Sequence, residues 1–497
     1  MTSAVSVIER HPWRTLLVFW PIATVLYGAV TRVPVAEPFL VRPTALDAMI
    51  PFVPWAAGPY LTYFALPVAV VLIGRGRDGF GGIFLAALAA VAASIAINLG
   101  FPAGLLDPPT APPGSLLAFI ERTDTPYGAL PSGHVALPAA IATAFAIAPR
   151  APVRGRLATA VFIAWTVVLA ACALLTKQHY MADVVSGLIV GVVVAAVAAV
   201  AAAPEGTFHV PTLRALAAEW IVIVIVAAAA LRWWSAPVAL LAMLVIATRQ
   251  HGLFILFHDG VHGLVARPQR RNDVLINLAV GVPLLVPVHL YRAVHLAHHR
   301  DLGTERDPER VLLYHAQPWR YRPLALGALA LQFAGDTLGW NNIIMAVRFF
   351  RVRGDPNSPL KMAPTRAYPE LAALIALVVS AWTLGLILAP QMTVRLALLW
   401  FVPYFTALQL LQKVRSFAEH AGEGSGDSLT YSWAPGLLGR LTIWPYNINY
   451  HFEHHERPGV PWDELPALAP SLRRRPGREL VFLLWSGAHK GARSVNS

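Results

Sequence analysis

About ten long apolar runs fix what this chain can become. They lie near 13–33, 59–73, 80–100, 135–148, 155–175, 181–202, 215–232, 236–257, 368–389 and 393–412. Inside a bilayer no water is at hand for backbone N–H and C=O groups, so apolar runs of this length are read as helices. Those at 59–73 and 135–148 are short and are expected to extend into their flanks. Composition agrees: 56% of residues are hydrophobic, 13% are charged, and the mean hydropathy is +0.56. That is too apolar for a soluble globule. The expected fold class is an all-α integral membrane protein with about ten transmembrane helices.

The net charge of +12 points to membrane topology rather than to nucleic acid, because Arg and Lys gather in short loops between apolar runs. Arg10 and Arg14 place the N-terminus in the cytoplasm, and the first run continues from it without a cleavage pattern. The loops with Arg75 and Arg77, and with Arg150, Arg154 and Arg156, then fall inside, while 101–133 and 176–180 fall outside. The connector 201–212 reads as a domain boundary. It separates a six-helix bundle (1–205) from a four-helix domain (213–475), which is followed by a basic tail (476–497). Run 273–290 carries Pro283 and Pro287 and reads as re-entrant or interfacial rather than spanning. Arg348, Arg351 and Arg353 precede the last hairpin. Trp233 and Trp234 read as interfacial anchors, and Arg473 to Arg475 and Lys490 as contacts to anionic headgroups. The single cysteine, Cys172, lies in an apolar run and excludes disulfides and thiolate metal sites.

Three short strings hold eight of the seventeen histidines: HDGVHG with His258 and His262, HLAHH with His295, His298 and His299, and HFEHH with His451, His454 and His455. Spacings of three and four put side chains on one helical face. One HxxHH alone is as readily an amphipathic turn. Three such strings in an apolar chain point instead to a pair of first-row metal ions, for which neutral imidazole is a good ligand. Zinc hydrolysis uses fewer ligands, and haem uses isolated axial histidines. His251 and His289, near ends of apolar runs, read as structural. His11, His209, His315 and His489 read as loop or terminal residues.

The three boxes resemble those of the membrane fatty acid desaturases, a di-iron family that also includes hydroxylases and carotenoid ketolases. HHRDLGTERDPE (298–309), RSFAEH (415–420) and NYHFEHHERPGVPWDELPAL (449–468) extend the resemblance over about 215–470. It implies two iron ions (Fe2+/Fe3+), O2 as co-substrate, and His420 as a ninth ligand. Asp259, Glu305, Asp307, Glu419, Glu453 and Asn449 are placed to hydrogen-bond ligand imidazoles. No haem-binding string or cysteine cluster is present, so electrons would come from a separate ferredoxin or cytochrome-type carrier.

In the first half, LPSGHVALP (130–138) and TKQHYMADVVSG (176–187) resemble the type-2 phosphatidic acid phosphatase superfamily, especially its lipid phosphotransferase branch (inositol phosphorylceramide synthase-like). The resemblance implies His179 as nucleophile, Asp183 as its orienting carboxylate and His134 as general acid. His179 and Asp183 stand at i and i+4, where a carboxylate can hold the imidazole tautomer. Ser132 and the amides around Gly133 are candidate phosphate contacts, with Lys177 and Arg122 as candidate cations. The family's basic string before the first histidine is absent from 98–113, and its Ser-Arg pair is replaced by Cys172-Ala173.

Together these features predict a bifunctional membrane lipid enzyme of the bacterial inner membrane. A cytoplasmic di-iron site desaturates a lipid chain, and a phosphatase or phosphotransferase site faces outward. Alternatives are a lipid hydroxylase or carotenoid ketolase, and a non-catalytic lipid-binding scaffold.

Overall fold

The computed structural model describes residues 3–34, 37–75, 79–147, 153–204, 206–304, 306–309, 326–344, 390–420, 430–468 and 474–480, with Leu484 and scattered positions between 372 and 386. Arg77, Arg150, Glu305, His315, Arg348, Arg351, Arg353, Arg473, His489, Lys490 and most of the expected span 368–389 lie outside the described residues. The described chain is mostly helical, and its strands are short pairs of three residues. Among the described residues, eight helices are long and apolar enough to cross a membrane. They match eight of the ten expected runs. The run at 135–148 forms the helix Gly133–Ile147, of 15 residues as far as the described residues reach. Large apolar side chains such as Leu17, Leu72, Val167, Ile189, Val224 and Leu241 are exposed along these helices, as lipid-facing surface requires. The chain divides into two compact units, residues 1–205 and 206–497.

In the first unit, Leu66, Val70, Phe84, Ile141, Phe145 and Phe162 are buried in one core. The helices Gly133–Ile147 and Met181–Ala202 pack closely because the second presents Gly187 and Gly191 to the first. A Cβ at either glycine would run into backbone carbonyls, of Ser132 and Ala136 respectively. Small residues allow the same close approach between membrane helices in general. The amide of Ser132 donates to the Asp183 carbonyl at 3.0 Å, which aligns the two helix starts. Strands Phe39–Val41 and Ala103–Leu105 pair in parallel, with Phe39 opposite Ala103. The short helix Ala45–Met49 buries Asp47, whose carboxylate accepts the Met181 amide at 2.8 Å.

In the second unit, Val210–Arg232 and Ala236–Val261 form a hairpin. The stretch expected to re-enter is a bent pair, Gln269–Leu284 and Val288–Asp301, meeting at 94°. Pro287 caps the second arm, and Leu285 takes a left-handed backbone with φ 54°. Breaking a helix in apolar surroundings frees carbonyls that must find donors. Three aromatic side chains supply them. The indole N–H of Trp220 donates to Ala279 O at 2.9 Å, that of Trp400 to Pro283 O at 3.1 Å, and the Tyr404 hydroxyl to Leu284 O at 2.7 Å. The Asn277 side-chain oxygen accepts the Val288 amide at 2.9 Å and closes the corner.

Helix length carries the chemistry out of the lipid. Ala236–Val261 has 26 residues and Pro390–Glu419 has 30. At 1.5 Å per residue they run about 39 and 45 Å, against a hydrocarbon core of about 30 Å. Both stretches, the second interrupted at Thr406, are longer than that core is thick, which gives their final turns, carrying His258 and Glu419, length enough to pass it.

Candidate metal centre

Each histidine of the three strings sits on a helix or at its end. His258 is in the last turn of Ala236–Val261 and His262 is its C-cap. His295, His298 and His299 lie on Val288–Asp301. His420 ends Ala407–Glu419, and His451, His454 and His455 make up half of the six-residue helix His451–Glu456. Arg292 fastens the first two segments together. Its guanidinium donates to the Val261 and Gly260 carbonyls at 2.7 and 3.1 Å and pairs with Asp273. One side chain thus caps the helix carrying His258 while belonging to the helix carrying His295.

The imidazoles converge into two groups. The first holds His258, His262, His295, His299 and His454, with ligand nitrogens within 4.8 Å of one another. Nε2 of His295 is 3.1 Å from that of His262 and 3.0 Å from that of His299, which is 3.1 Å from that of His454. The second holds His298, His420 and His455, with His451 joined through His420. Nε2 of His451 is 3.0 Å from that of His420 and from that of His455. The division cuts across the strings. His295 and His299, at i and i+4, face the first group while His298 turns to the second. His451 and His455 face the second while His454 turns to the first.

These residues fit metal ions on two observations. Both ring nitrogens of His258, Nε2 of His298 and Nδ1 of His451 are buried without a hydrogen-bond partner among the described residues, a state that costs about 1–3 kcal/mol per group if nothing else occupies it. Nitrogens held about 2.1 Å from one ion at right angles stand about 3.0 Å apart, which is the spacing the Nε2 atoms show. Burial, reinforced by neighbouring imidazoles, holds His451, His454 and His455 well below the usual histidine pKa. Burial and Arg292 bring His262 down to about 4. The neutral form that results is the ligand form.

Carboxylates stand behind the imidazoles. Asp307 meets Nδ1 of His298 at 2.9 Å, and Glu309 meets Nδ1 of His295 at 3.2 Å. Glu419 lies 3.6 Å from Nδ1 of His451, and Asp259 lies 3.9 Å from Nδ1 of His258 while accepting the Trp462 amide at 3.0 Å. Such partners fix ring orientation and raise ligand basicity. Glu453 instead accepts from the Ser432 hydroxyl, and Asn449 donates to the Trp433 carbonyl at 2.9 Å. Glu309 and Arg415, which donates to Glu419 at 2.5 Å, were not singled out by spacing, although both lie inside the strings that carry the resemblance. Three histidines read as ordinary have ordinary partners: His251 the Ile443 carbonyl, His289 Asp273, and His209 Thr212 and Asp463.

In the first unit, the rings of His134 and His179 lie 5.8 Å apart. Nδ1 of His179 is 3.6 Å from Oδ2 of Asp183, which accepts the Tyr180 amide at 2.8 Å. Ser132 Oγ is buried beside them without a hydrogen-bond partner among the described residues, and Gly133 opens the helix that carries His134. Lys177 turns its ammonium onto the Asp47 carbonyl at 2.5 Å, and Arg122 is exposed. Around His134 stand aromatic rings: the Tyr60 hydroxyl is 2.8 Å from Nδ1, its ring stacks at 4.0 Å, and Tyr63 lies at 4.4 Å. These tyrosines occur in an ordinary apolar run, and no motif marked them.

A family model described as fatty acid desaturase matches residues 231–485, and one for the PAP2 superfamily matches 78–205. The dihydrorhizobitoxine desaturase of Bradyrhizobium elkanii is 28% identical over 273 residues, covering 51% of this chain and 72% of that protein. A beta-carotene 4-ketolase of Protosiphon botryoides is 25% identical over 255 residues, 47% of this chain and only 51% of the ketolase. A beta-carotene ketolase of Paracoccus sp. is 25% identical over 218 residues, 44% of this chain and 73% of the ketolase.

The lowered histidine pKa values give a signed expectation for the metal-free protein. Below about pH 6.5 the unfolded chain takes up protons on these histidines and the folded chain does not, so stability falls as pH falls, by at most about 1.4 kcal/mol per histidine per pH unit. Thermal unfolding in detergent should therefore drop steeply from pH 7 to 5. These histidines contribute no change between pH 9 and 7.

Proposed function

Because this chain belongs to the fatty acid desaturase family, we propose that its second half is a di-iron, O2-dependent desaturase acting on a lipid acyl or sphingoid-like chain. The coarser statement stands on its own: this is a multi-pass, lipid-modifying membrane oxidoreductase. The observation that carries the finer reading is the pair of imidazole groups, nitrogen-only and nine residues strong.

Iron bound there would supply the oxidising power that saturated C–H bonds demand. The protein's own part is positional. His258, His262, His295, His299 and His454 would hold one ion, and His298, His420, His451 and His455 the other. Asp307 and Glu309 hold the outer ring nitrogens of His298 and His295, and Glu419 stands 3.6 Å from that of His451, so that the inner nitrogens stay directed at the metal. Electrons are taken to come from a separate ferredoxin or cytochrome-type carrier. The site is read as cytoplasmic in a bacterial inner membrane, from the distribution of Arg and Lys.

A second reading has its own support, since several relatives are ketolases. The same ligands serve a hydroxylase or carotenoid ketolase, and only the product separates the outcomes. For the first half we infer a lipid phosphatase or phosphotransferase on the outer face. Asp183 faces Nδ1 of His179 and leaves Nε2 to attack phosphorus. Tyr60 occupies Nδ1 of His134 and leaves Nε2 to protonate the departing oxygen.

Lipid mass spectrometry tests the first reading, in a host without desaturases of its own that expresses either the intact chain or His298→Ala/His299→Ala, which strips one imidazole from each group. A lipid lighter by two hydrogens and dependent on the intact boxes is expected. A lipid heavier by one oxygen would transfer the assignment to hydroxylation, and no difference with iron and electron donors supplied would leave a scaffold. For the first half, Asp183→Asn should lower phosphate release from a lipid phosphate by about 10²–10⁴-fold with the desaturated product unchanged. An intact chain that releases no phosphate would contradict the assignment.

A further inference from the structure

Arg415 opens the string RSFAEH, one helical turn before Glu419 and five residues before His420. Its side chain is buried, at 9% exposure for the residue, and its guanidinium donates to Oε2 of Glu419 at 2.5 Å. That same oxygen stands 3.6 Å from Nδ1 of His451, in the second imidazole group. The charge of Arg415 also acts on Glu309 and on the Tyr291 hydroxyl. Glu309 meets Nδ1 of His295, in the first group, and the Tyr291 ring stacks on the His295 ring. One fixed cation therefore bears on the carboxylates behind both groups.

The charge accounting gives this placement its meaning. Nine neutral imidazoles would bring no charge to a metal pair, so the nearby protein charge comes from the carboxylates of Asp259, Asp307, Glu309 and Glu419 and the guanidiniums of Arg292 and Arg415. The Arg415 guanidinium keeps its proton, and so its charge, in a protein. Its planar fork also fixes the direction of the carboxylate it holds. A buried cation is costly to maintain unless paired, and here its partners are the groups that orient the ligands.

We propose that Arg415 is a positioning residue that sets the charge of the metal centre. It holds Glu419 beside the outer nitrogen of His451 and adds its charge near Glu309, and it raises the reduction potential of the bound ions by disfavouring their more positive, oxidised state. The proposal rests on the di-iron reading above.

The test uses the full chain, purified in detergent and loaded with ferrous iron, with iron content and midpoint potential read for the parent, Arg415→Lys and Arg415→Gln. Iron content should stay near the parent's. The potential should fall in Arg415→Gln and lie near the parent's in Arg415→Lys. A parent-like potential in Arg415→Gln would overturn the proposal, and so would an equal displacement in both variants. If Arg415→Gln does not fold, Arg415→Gln/Glu419→Gln removes both charges of the pair. Its potential should stay near the parent's, and a clear displacement would overturn the assignment. Iron uptake by the parent tests the di-iron reading separately: a parent that takes up no iron defeats that reading, whereas a loaded parent whose variants do not shift defeats only the role of Arg415.

Discussion

The second half of this protein depends on a helix that is broken where water is scarce. A chain that turns through 94° between Leu284 and Val288 leaves carbonyls without helical partners. Lipid cannot satisfy them. Trp220, Trp400 and Tyr404, drawn from two other helices, donate to them. Because the corner is held by these donors, the two arms keep their angle. The end carrying His258 and His262 then meets the arm carrying His295, His298 and His299, and Arg292 locks the two together. The stretch Pro390–Glu419, longer than a hydrocarbon core is thick, delivers Arg415, Glu419 and His420 to the same place.

Charge distinguishes the two halves. In the second, burial keeps most of the imidazoles neutral, Glu309 and Asp307 raise the pKa of His298 against burial, and carboxylates stand behind the outer nitrogens, an environment made for cations. In the first, a phosphate-handling site would call for cations of its own, yet Lys177 is engaged with the Asp47 carbonyl and Arg122 is exposed. Tyr60 and Tyr63 surround His134 instead. Burial also raises the carboxyl pKa of Asp124, whose neighbours include His179 and Arg32. The helix packing that brings His134 to His179 is that of two membrane helices meeting through Gly187 and Gly191.

Much of this was legible in the sequence because hydropathy and helical spacing are strong local signals. Apolar runs marked the spanning helices, Pro283 and Pro287 marked the break, and three- and four-residue spacings marked eight of the nine histidines that the structure brings together, the ninth, His420, coming from the resemblance carried by RSFAEH. The partition of those histidines was not legible. It depends on how two helices cross, and it sends His298 and His454 away from their neighbours in the same string. Glu309 and Arg415 escaped for a related reason: a carboxylate or guanidinium behind an imidazole is a tertiary contact, and no periodicity announces it. Tyr60 reads as one more aromatic in an apolar run until its hydroxyl is seen on His134.

The central claim is that the two imidazole groups hold a pair of iron ions. The most direct measurement is iron stoichiometry of the purified full chain after anaerobic loading, together with X-ray absorption at the iron edge. The account predicts a pair of irons per chain in a first shell dominated by imidazole nitrogen. A chain that binds no iron, or a single ion with mainly oxygen neighbours, would contradict it.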